Sequence, residues 1–417
     1  MAIEVGLLGL GTVGEGVVEL LAQRNELPIE ITKVAVRTIT PARATKYANL
    51  HLTTDPWEVV NAPSLAIVIE VMGGIELPYA LIKQALQNGK SVVTANKDLL
   101  ATHGVELSAL AQAQGVWLRY EASVAGGIPI LNALATSFPY DKIQRVAGIV
   151  NGTSNFILSK MANERCSYEL ALKIAQNKGF AESDPTNDVS GLDAAYKLAI
   201  LSKFAFGATP AVADIKLQGI ERIAEKDIAA VHSLGFAIKP LAVAELNNDK
   251  LALHVSPYLI DNANPLVKVN DEYNGIFVSS QNMPQQLFYG AGAGMLPTAN
   301  AVTADVCNIA QALVNQAPIT AFATCAEISP ELVNDVLEQR FLSIDLASQA
   351  PETIRAVTLA LEETVGIRTL KQADYGQHAG SLLVLTKLTT ELLVEKCRQI
   401  LHDIPHIELR HVLPIFN

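Results

Sequence analysis

The chain opens on an apolar run, Ile3–Leu8, that enters a glycine cluster and then a stretch of helical spacing, Glu15–Arg24. Glu30–Val36 alternates like a strand, and Leu65–Val71 and Ser91–Thr94 read as further apolar strands. Tyr79–Asn88 and Val105–Gln114 carry helical periodicity between and after them. Strand and helix in strict turn, joined by short connections, predict a parallel sheet covered on both faces, the α/β class.

From about Tyr140 the pattern changes. A strand at Ile143–Val150 leads into polar Asn151-Gly152-Thr153-Ser154-Asn155, and helical stretches follow near Asn155–Asn163, Tyr168–Lys178 and Leu192–Phe206. Alternation at Ile238–Glu245, Leu251–Leu259, Ile276–Ser280 and Gln286–Tyr289 predicts antiparallel strands, hence an α+β unit. Gly290-Ala291-Gly292-Ala293-Gly294 precedes a helix from Thr298 to about Leu313. The remainder reads as strand Phe341–Leu346, helix Pro351–Thr364, strands Ile367–Gln372 and Ser381–Leu388, helix Thr390–Leu401 and strand Ile407–Val412. That βαββαβ order is the ferredoxin-like layout. The expected organisation is therefore a Rossmann-type domain over 1–135, completed by about 298–320. An α+β domain follows over 136–297, and a terminal module over 340–417.

Composition narrows the function classes. The 417 residues carry 31 Lys and Arg against 42 Asp and Glu, a net charge of -11 that argues against nucleic-acid or anionic-membrane partners. Half the residues are hydrophobic, enough for sizeable cores. No apolar run reaches ~18 residues, so no membrane-spanning helix is expected. Met1-Ala2-Ile3-Glu4 has no basic region typical of a signal peptide. Cys166, Cys307, Cys325 and Cys397 lie far apart, with no zinc or disulfide spacing, so the expected location is a reducing cytoplasm.

Three segments carry candidate chemistry. Gly9-Leu10-Gly11-Thr12-Val13-Gly14 fits G-x-G-x-x-G between a strand and a helix, the context of a dinucleotide pyrophosphate site. The second strand ends in Arg37 where an NAD-selective site carries an acid, so the guanidinium favours the 2′-phosphate of NADP, with NAD use left open. Thr94-Ala95-Asn96-Lys97 lies past a strand's C-terminal end, where Lys97 would face nicotinamide and a carbonyl substrate. Between 182 and 197 stand Glu182, Asp184, Asp188, Asp193 and Lys197, with Asp193 and Lys197 one helical turn apart. Three readings of that cluster are open: a solvated acidic loop with a helical ion pair, a metal site, or a pocket for a zwitterionic substrate.

These residues resemble the homoserine dehydrogenases. The resemblance runs through the dinucleotide loop, Thr94–Lys97, Asn151–Asn155 and Gly179-Phe180-Ala181-Glu182-Ser183-Asp184-Pro185. It continues through Asp188–Leu198 with its D-x-x-x-K core, and through Gly290–Gly294 with Pro297-Thr298-Ala299. It implies reversible hydride transfer between L-aspartate 4-semialdehyde and L-homoserine, a step towards threonine, methionine and isoleucine. With no aspartokinase region, it implies the monofunctional type. Lys197, Lys97 and Asp193 are then the catalytic candidates. Glu182, Asp188, Lys97, Asn151, Gly152 and Thr153 are the substrate candidates. Gly9, Gly11, Thr12, Val13, Gly14, Arg37, Thr94, Lys97 and Gly294 are the cofactor candidates. Glu121, Val124 and Gly126 match a region that binds a monovalent cation such as Na⁺, partly through backbone carbonyls. The family also implies a homodimer or homotetramer.

The terminal βαββαβ unit resembles an ACT domain, a module that often binds amino-acid effectors such as L-threonine. Its first loop, Leu346-Ala347-Ser348-Gln349-Ala350-Pro351-Glu352-Thr353, has Glu352 where many ACT domains have glycine after the proline. That departure leaves a packing or dimerisation role as the competing expectation. Two rival functions fit these residues less well. An aspartate semialdehyde dehydrogenase would need a nucleophilic cysteine in a loop that neither Cys166 nor Cys307 occupies. A non-catalytic amino-acid sensor on a dehydrogenase scaffold sits poorly with intact Lys97, Asp193 and Lys197.

Overall fold

The structure is a computed structural model that describes residues 2–23, 28–138, 141–320, 322, 330–333, 335–347, 349–374 and 380–416. Arg24 and Cys325, and Ser348 of the first loop in the terminal module, lie outside the described residues. Two compact units result: residues 1–146, 196–213 and 278–329 in one, and 147–195, 214–277 and 330–417 in the other.

The first unit is built on six strands: β1 (Ile3–Leu8), β2 (Ile29–Ala35), β3 (His51–Thr53), β4 (Ile67–Glu70), β5 (Ser91–Thr94) and β6 (Leu118–Arg119). All pair in parallel, in the order β3-β2-β1-β4-β5-β6. Their apolar runs are buried on both faces, as a sheet sandwiched between helices requires; all four residues of β4 and of β5 are buried. Chain order reverses between β1 and β4, the switch point where open α/β sheets bind ligands. The register aligns Leu8 with Glu70 and Glu70 with Thr94, so three strand ends form one row at that edge.

Helix α1 (Thr12–Ala22) leaves the glycine loop and packs against the helix Met295–Val314. A Cβ on Gly16 would meet the Ala299 Cβ at 2.9 Å, so the glycine permits the close crossing. Val17 and Leu21 share one core with Val302, Val306 and Ile309.

The hydrophobic pattern misjudged some element limits. The helix expected from Val105 begins at Lys97, because the Asn96 side chain caps it and Gly104, buried inside it, breaks the periodicity without ending the helix. Helices at Pro41–Lys46, Pro56–Val60, Ile130–Ser137 and Glu225–His232 were not expected from the sequence.

The second unit centres on a hairpin, Phe236–Asn247 against Lys250–Asp261, paired residue for residue. Its two-residue turn holds Asn248 and Asp249 at φ of 49° and 61°, the left-handed pair that matches the twist of the strands. The strand Ile407–Phe416 joins Lys250–Asp261 in parallel through Leu259 with Ile415 and Ile260 with Phe416. It also lies antiparallel to Arg340–Leu346, which pairs with Gly380–Thr386, and that strand with Ile367–Asp374. With helices Pro351–Thr364 and Glu391–His402 this is a βαββαβ segment in ferredoxin-like strand order, joined to the hairpin by backbone pairing. Among the described residues no helix is long and apolar enough to cross a membrane.

Candidate active site

The dinucleotide loop has the shape its glycines predict. Gly9 holds φ +102°, and a Cβ there would lie 2.8 Å from the Val71 carbonyl oxygen. A Cβ on Gly14 would strike the Gly9 carbonyl, which fixes glycine at the first turn of α1. Above Gly11 the space is open, with no atom within 4 Å of a Cβ position, and this residue caps α1 without a side chain. Free space over an uncapped helix N-terminus is what a pyrophosphate needs, so the residues present fit a dinucleotide. Thr12 and Val13 start the helix, and Gly294, at φ +111°, caps the helix Met295–Val314.

Beyond β2, Arg37 is exposed. Arg43, from the short helix Pro41–Lys46, donates from Nη1 to the Thr38 carbonyl at 2.8 Å and from Nη2 to the Leu10 carbonyl at 3.3 Å. It ties the glycine loop to the turn that carries Arg37. The sequence reading passed over it because a lone arginine in a polar stretch has no periodic signature.

The row of strand ends carries a network that the motifs did not reveal. Glu70, fully buried, accepts the Thr94 hydroxyl at 2.6 Å and the Met72 amide at 2.8 Å. Burial pushes its carboxyl above the usual range. The Thr94 hydroxyl also accepts the Asn96 amide at 3.0 Å. Thr94, a cofactor candidate, therefore spends its side chain on the loop's shape. Asn96 donates from Nδ2 to the Gly74 carbonyl at 2.6 Å and accepts the Leu99 amide at 3.2 Å. Lys97 follows as the first helical residue, half-buried, its Nζ 3.5 Å from Asp98. The available signal was one acid inside an otherwise apolar strand, Ile67-Val68-Ile69-Glu70-Val71.

In the second unit Asn151 gathers the carboxylates. Its Oδ1 caps the helix Gly152–Glu164 by accepting the Ser154 amide at 2.8 Å. Its Nδ2 donates to Asp188 Oδ1 at 2.7 Å and to Asp193 Oδ2 at 2.8 Å. The Ser154 hydroxyl holds the Asp188 carbonyl at 2.8 Å, and Thr153 holds the Phe180 carbonyl at 2.6 Å. Gly152 lies against Glu272, whose carbonyl oxygen would be 2.7 Å from a Cβ. Asp193 is buried at the start of the helix Leu192–Phe206, one turn ahead of half-buried Lys197. Glu182 stands apart on the exposed stretch before Asp188.

Glu121, the candidate cation ligand, is buried. Its carboxylate accepts the Leu131 amide at 2.8 Å, the Asn132 amide at 2.7 Å and the Asn132 side chain, so it seats the helix Ile130–Ser137. Burial, reinforced by Asp305, raises its carboxyl to about 7. Asp305 accepts the Glu121 amide at 2.8 Å. Gly126 turns at φ +49° against the Gly292 carbonyl. Among the described residues no group of three or more His, Cys, Asp or Glu is placed to hold a metal ion.

Comparison with known proteins gives the decisive result. The family model described as "Homoserine dehydrogenase" matches residues 129–307, and "Homoserine dehydrogenase, NAD binding domain" matches residues 9–121. The chain belongs to the homoserine dehydrogenase family. It is 36% identical to the Bacillus subtilis homoserine dehydrogenase, with 98% of this chain and 96% of that protein covered. It is 44% identical to the Synechocystis homoserine dehydrogenase over 74% of this chain and 73% of that protein. The crystal structure of a homoserine dehydrogenase from Thiobacillus denitrificans is similar with a TM-score of 0.93 and 34% identity, covering 100% of this chain and 99% of that one. Homoserine dehydrogenase activity is accordingly the function of this chain, an oxidoreduction that uses a nicotinamide dinucleotide.

Proposed function

We propose that the chain reduces L-aspartate 4-semialdehyde to L-homoserine with NADPH as the favoured donor, in the synthesis of threonine, methionine and isoleucine. The observation that carries the assignment of roles is the Asn151 amide, which holds Asp188 and Asp193 together one helical turn before Lys197. Two carboxylates on one amide suit an ammonium-bearing substrate, with Glu182 the outer member of that pocket.

When bound, the dinucleotide supplies hydride to the aldehyde carbon. As the carbonyl π bond breaks, its electron pair moves onto oxygen, and the Lys197 ammonium delivers the proton that completes the alcohol. Asp193 orients Lys197, and Lys97 stabilises the same developing charge. The network Glu70–Thr94–Asn96 fixes where the helix bearing Lys97 begins. Arg37, with Arg43 bracing its turn, supports the preference for a 2′-phosphate.

A monovalent cation at the turn 121–126 belongs to the same reading. With three N–H donors on the Glu121 carboxylate, the carbonyls of Val124 and Gly126 would be its principal ligands. The βαββαβ segment is read as an ACT module. In its first loop, Gln349 accepts through Oε1 the Gln372 side chain of the strand Ile367–Asp374 at 2.7 Å, and it lies against Gly380. That filled space favours packing over capture of L-threonine there. Exposed Leu287 and Tyr289 on the strand Gln286–Ala291 support a homo-oligomer, and four cysteines spaced far apart in the sequence suit a cytoplasmic enzyme.

The test is turnover of aspartate semialdehyde by the purified protein with NADPH or NADH, with the product identified as homoserine. Equal use of both donors, and unchanged preference after Arg37→Ala, would remove the 2′-phosphate reading. Titration of L-threonine separates an effector module from a packing one.

A further inference from the structure

The first unit holds a cavity of about 210 Å³ that the catalytic reading leaves unused. The helices Lys97–Gln114 and Leu192–Phe206 form its walls, with Tyr120 and the segment 209–211 lining the rest. Apolar side chains of Leu100, Val105, Ile200 and Pro210 line most of it, and among the described residues no acidic side chain does.

Among the described residues one cation, Lys203, faces this space. Lys203 Nζ donates to the Ser108 hydroxyl at 3.0 Å and to the Tyr120 hydroxyl at 3.3 Å. Both partners are neutral, so among the described residues no anion pairs with this ammonium. A desolvated ammonium is costly unless it is paired, and here burial alone pulls the Lys203 amine down to about 8. Buried charges are ordinarily paired, so a ligand of opposite charge would complete this site.

We propose that this cavity is a second binding site, for a short aliphatic carboxylate without an amino group. Its carboxylate pairs with Lys203 and takes a hydroxyl hydrogen bond from Tyr120, while its tail lies along Leu100, Val105 and Ile200. With no acid among the described lining residues, an amino acid's ammonium has no partner there, so an acid without an amino group fits better. At ~30 Å³ per displaced water, the space holds the equivalent of about seven waters, which suits an acid of about four to six carbons. Leu100 and Ile200 each sit about one helical turn beyond a catalytic candidate, Lys97 and Lys197. The ligand would therefore touch the helices that position both lysines, while remaining distinct from the substrate.

Calorimetric titration of the full chain with 4-methylpentanoate and with its uncharged amide tests the assignment. The acid should bind about tenfold more tightly than the amide, the difference a charge-assisted hydrogen bond makes. Lys203→Met should bring the acid down to the level of the amide, and Lys203→Arg should restore most of the difference. Lys197→Met and saturating homoserine should leave binding intact. Thermal unfolding of each variant shows whether it folds. Acid and amide binding alike, no heat from either at millimolar concentration, Lys203→Met binding like wild type while folded, or displacement by homoserine would each overturn the proposal.

Discussion

Asn96 is the point at which a stability measurement and a rate measurement should move together. Its Oδ1 accepts the Leu99 amide at 3.2 Å, and its Nδ2 donates to the Gly74 carbonyl at 2.6 Å. Asn96→Ala removes a helix cap, about 1 kcal/mol, and the hydrogen bond that tethers the exposed turn at Gly74, about 1 kcal/mol more. The expected loss of unfolding free energy is about 2 kcal/mol. Asn96→Ser keeps a capping oxygen but does not reach Gly74, so its loss should be about half as large. Lys97 is the next residue, and an uncapped first turn frays. About 1 kcal/mol shifts the ratio of ordered to frayed first turn by a factor of about 5, which is the upper limit of the fall in kcat for aspartate semialdehyde expected in the alanine variant. The serine variant should stay within about twofold of wild-type kcat. Denaturant unfolding and steady-state turnover with NADPH measure both quantities. Equal destabilisation by Ser and Ala would refute the division between cap and tether. A destabilised alanine variant with wild-type kcat would show that Lys97 is not positioned by its cap.

Other expectations follow from single groups. Lys197→Met should lower kcat by on the order of 10²–10⁴ with little change in NADPH affinity, and near-wild-type turnover would remove it as the proton donor. Arg37→Ala should weaken NADPH by on the order of 10–100-fold and leave NADH unchanged, as fluorescence titration of both cofactors will show. His254 is buried, and desolvation, aided by Lys216 and Arg340, holds its imidazole down at about 4 against 6.5 in an unfolded chain. The folded state therefore binds fewer protons, so stability is full above about 6.5 and falls as pH drops towards 4, by about 2 kcal/mol at pH 5. His254→Gln should flatten the melting-temperature profile between pH 7 and 5; an unchanged slope would mean that another group controls it.

What could be read beforehand was governed by where the physical signal lies. The helices Leu192–Phe206 and Pro351–Thr364 were legible to the residue because helix-forming runs there meet clear stops at Gly207 and Val365-Gly366. The glycine loop was legible because Gly9 and Gly14 are forced by backbone atoms less than a side chain away. Lys97, by contrast, read as a loop residue: the cap that starts its helix is a single asparagine, and Lys97-Asp98 adds no apolar period. Glu70 stayed hidden because its partners, Thr94 and Met72, are set by strand register and backbone geometry, which no motif encodes. The joining of Asp188 and Asp193 was half visible. Their sequence distance suggested a shared pocket, but the amide that holds them comes from Asn151, 37 residues before Asp188.

The crossing of α1 with Met295–Val314 also bears on how the chain is made. Gly16 leaves the ribosome about 280 residues before Ala299, its neighbour in the finished core. At ~5–20 residues per second, one flank of the nascent dinucleotide unit stays uncovered for on the order of 15–60 s. Val17 and Leu21 are exposed for that interval, an apolar strip open to chaperones or to another nascent chain. Slowing translation after residue 22 should lengthen that exposure, and faster delivery of the later helix should shorten it.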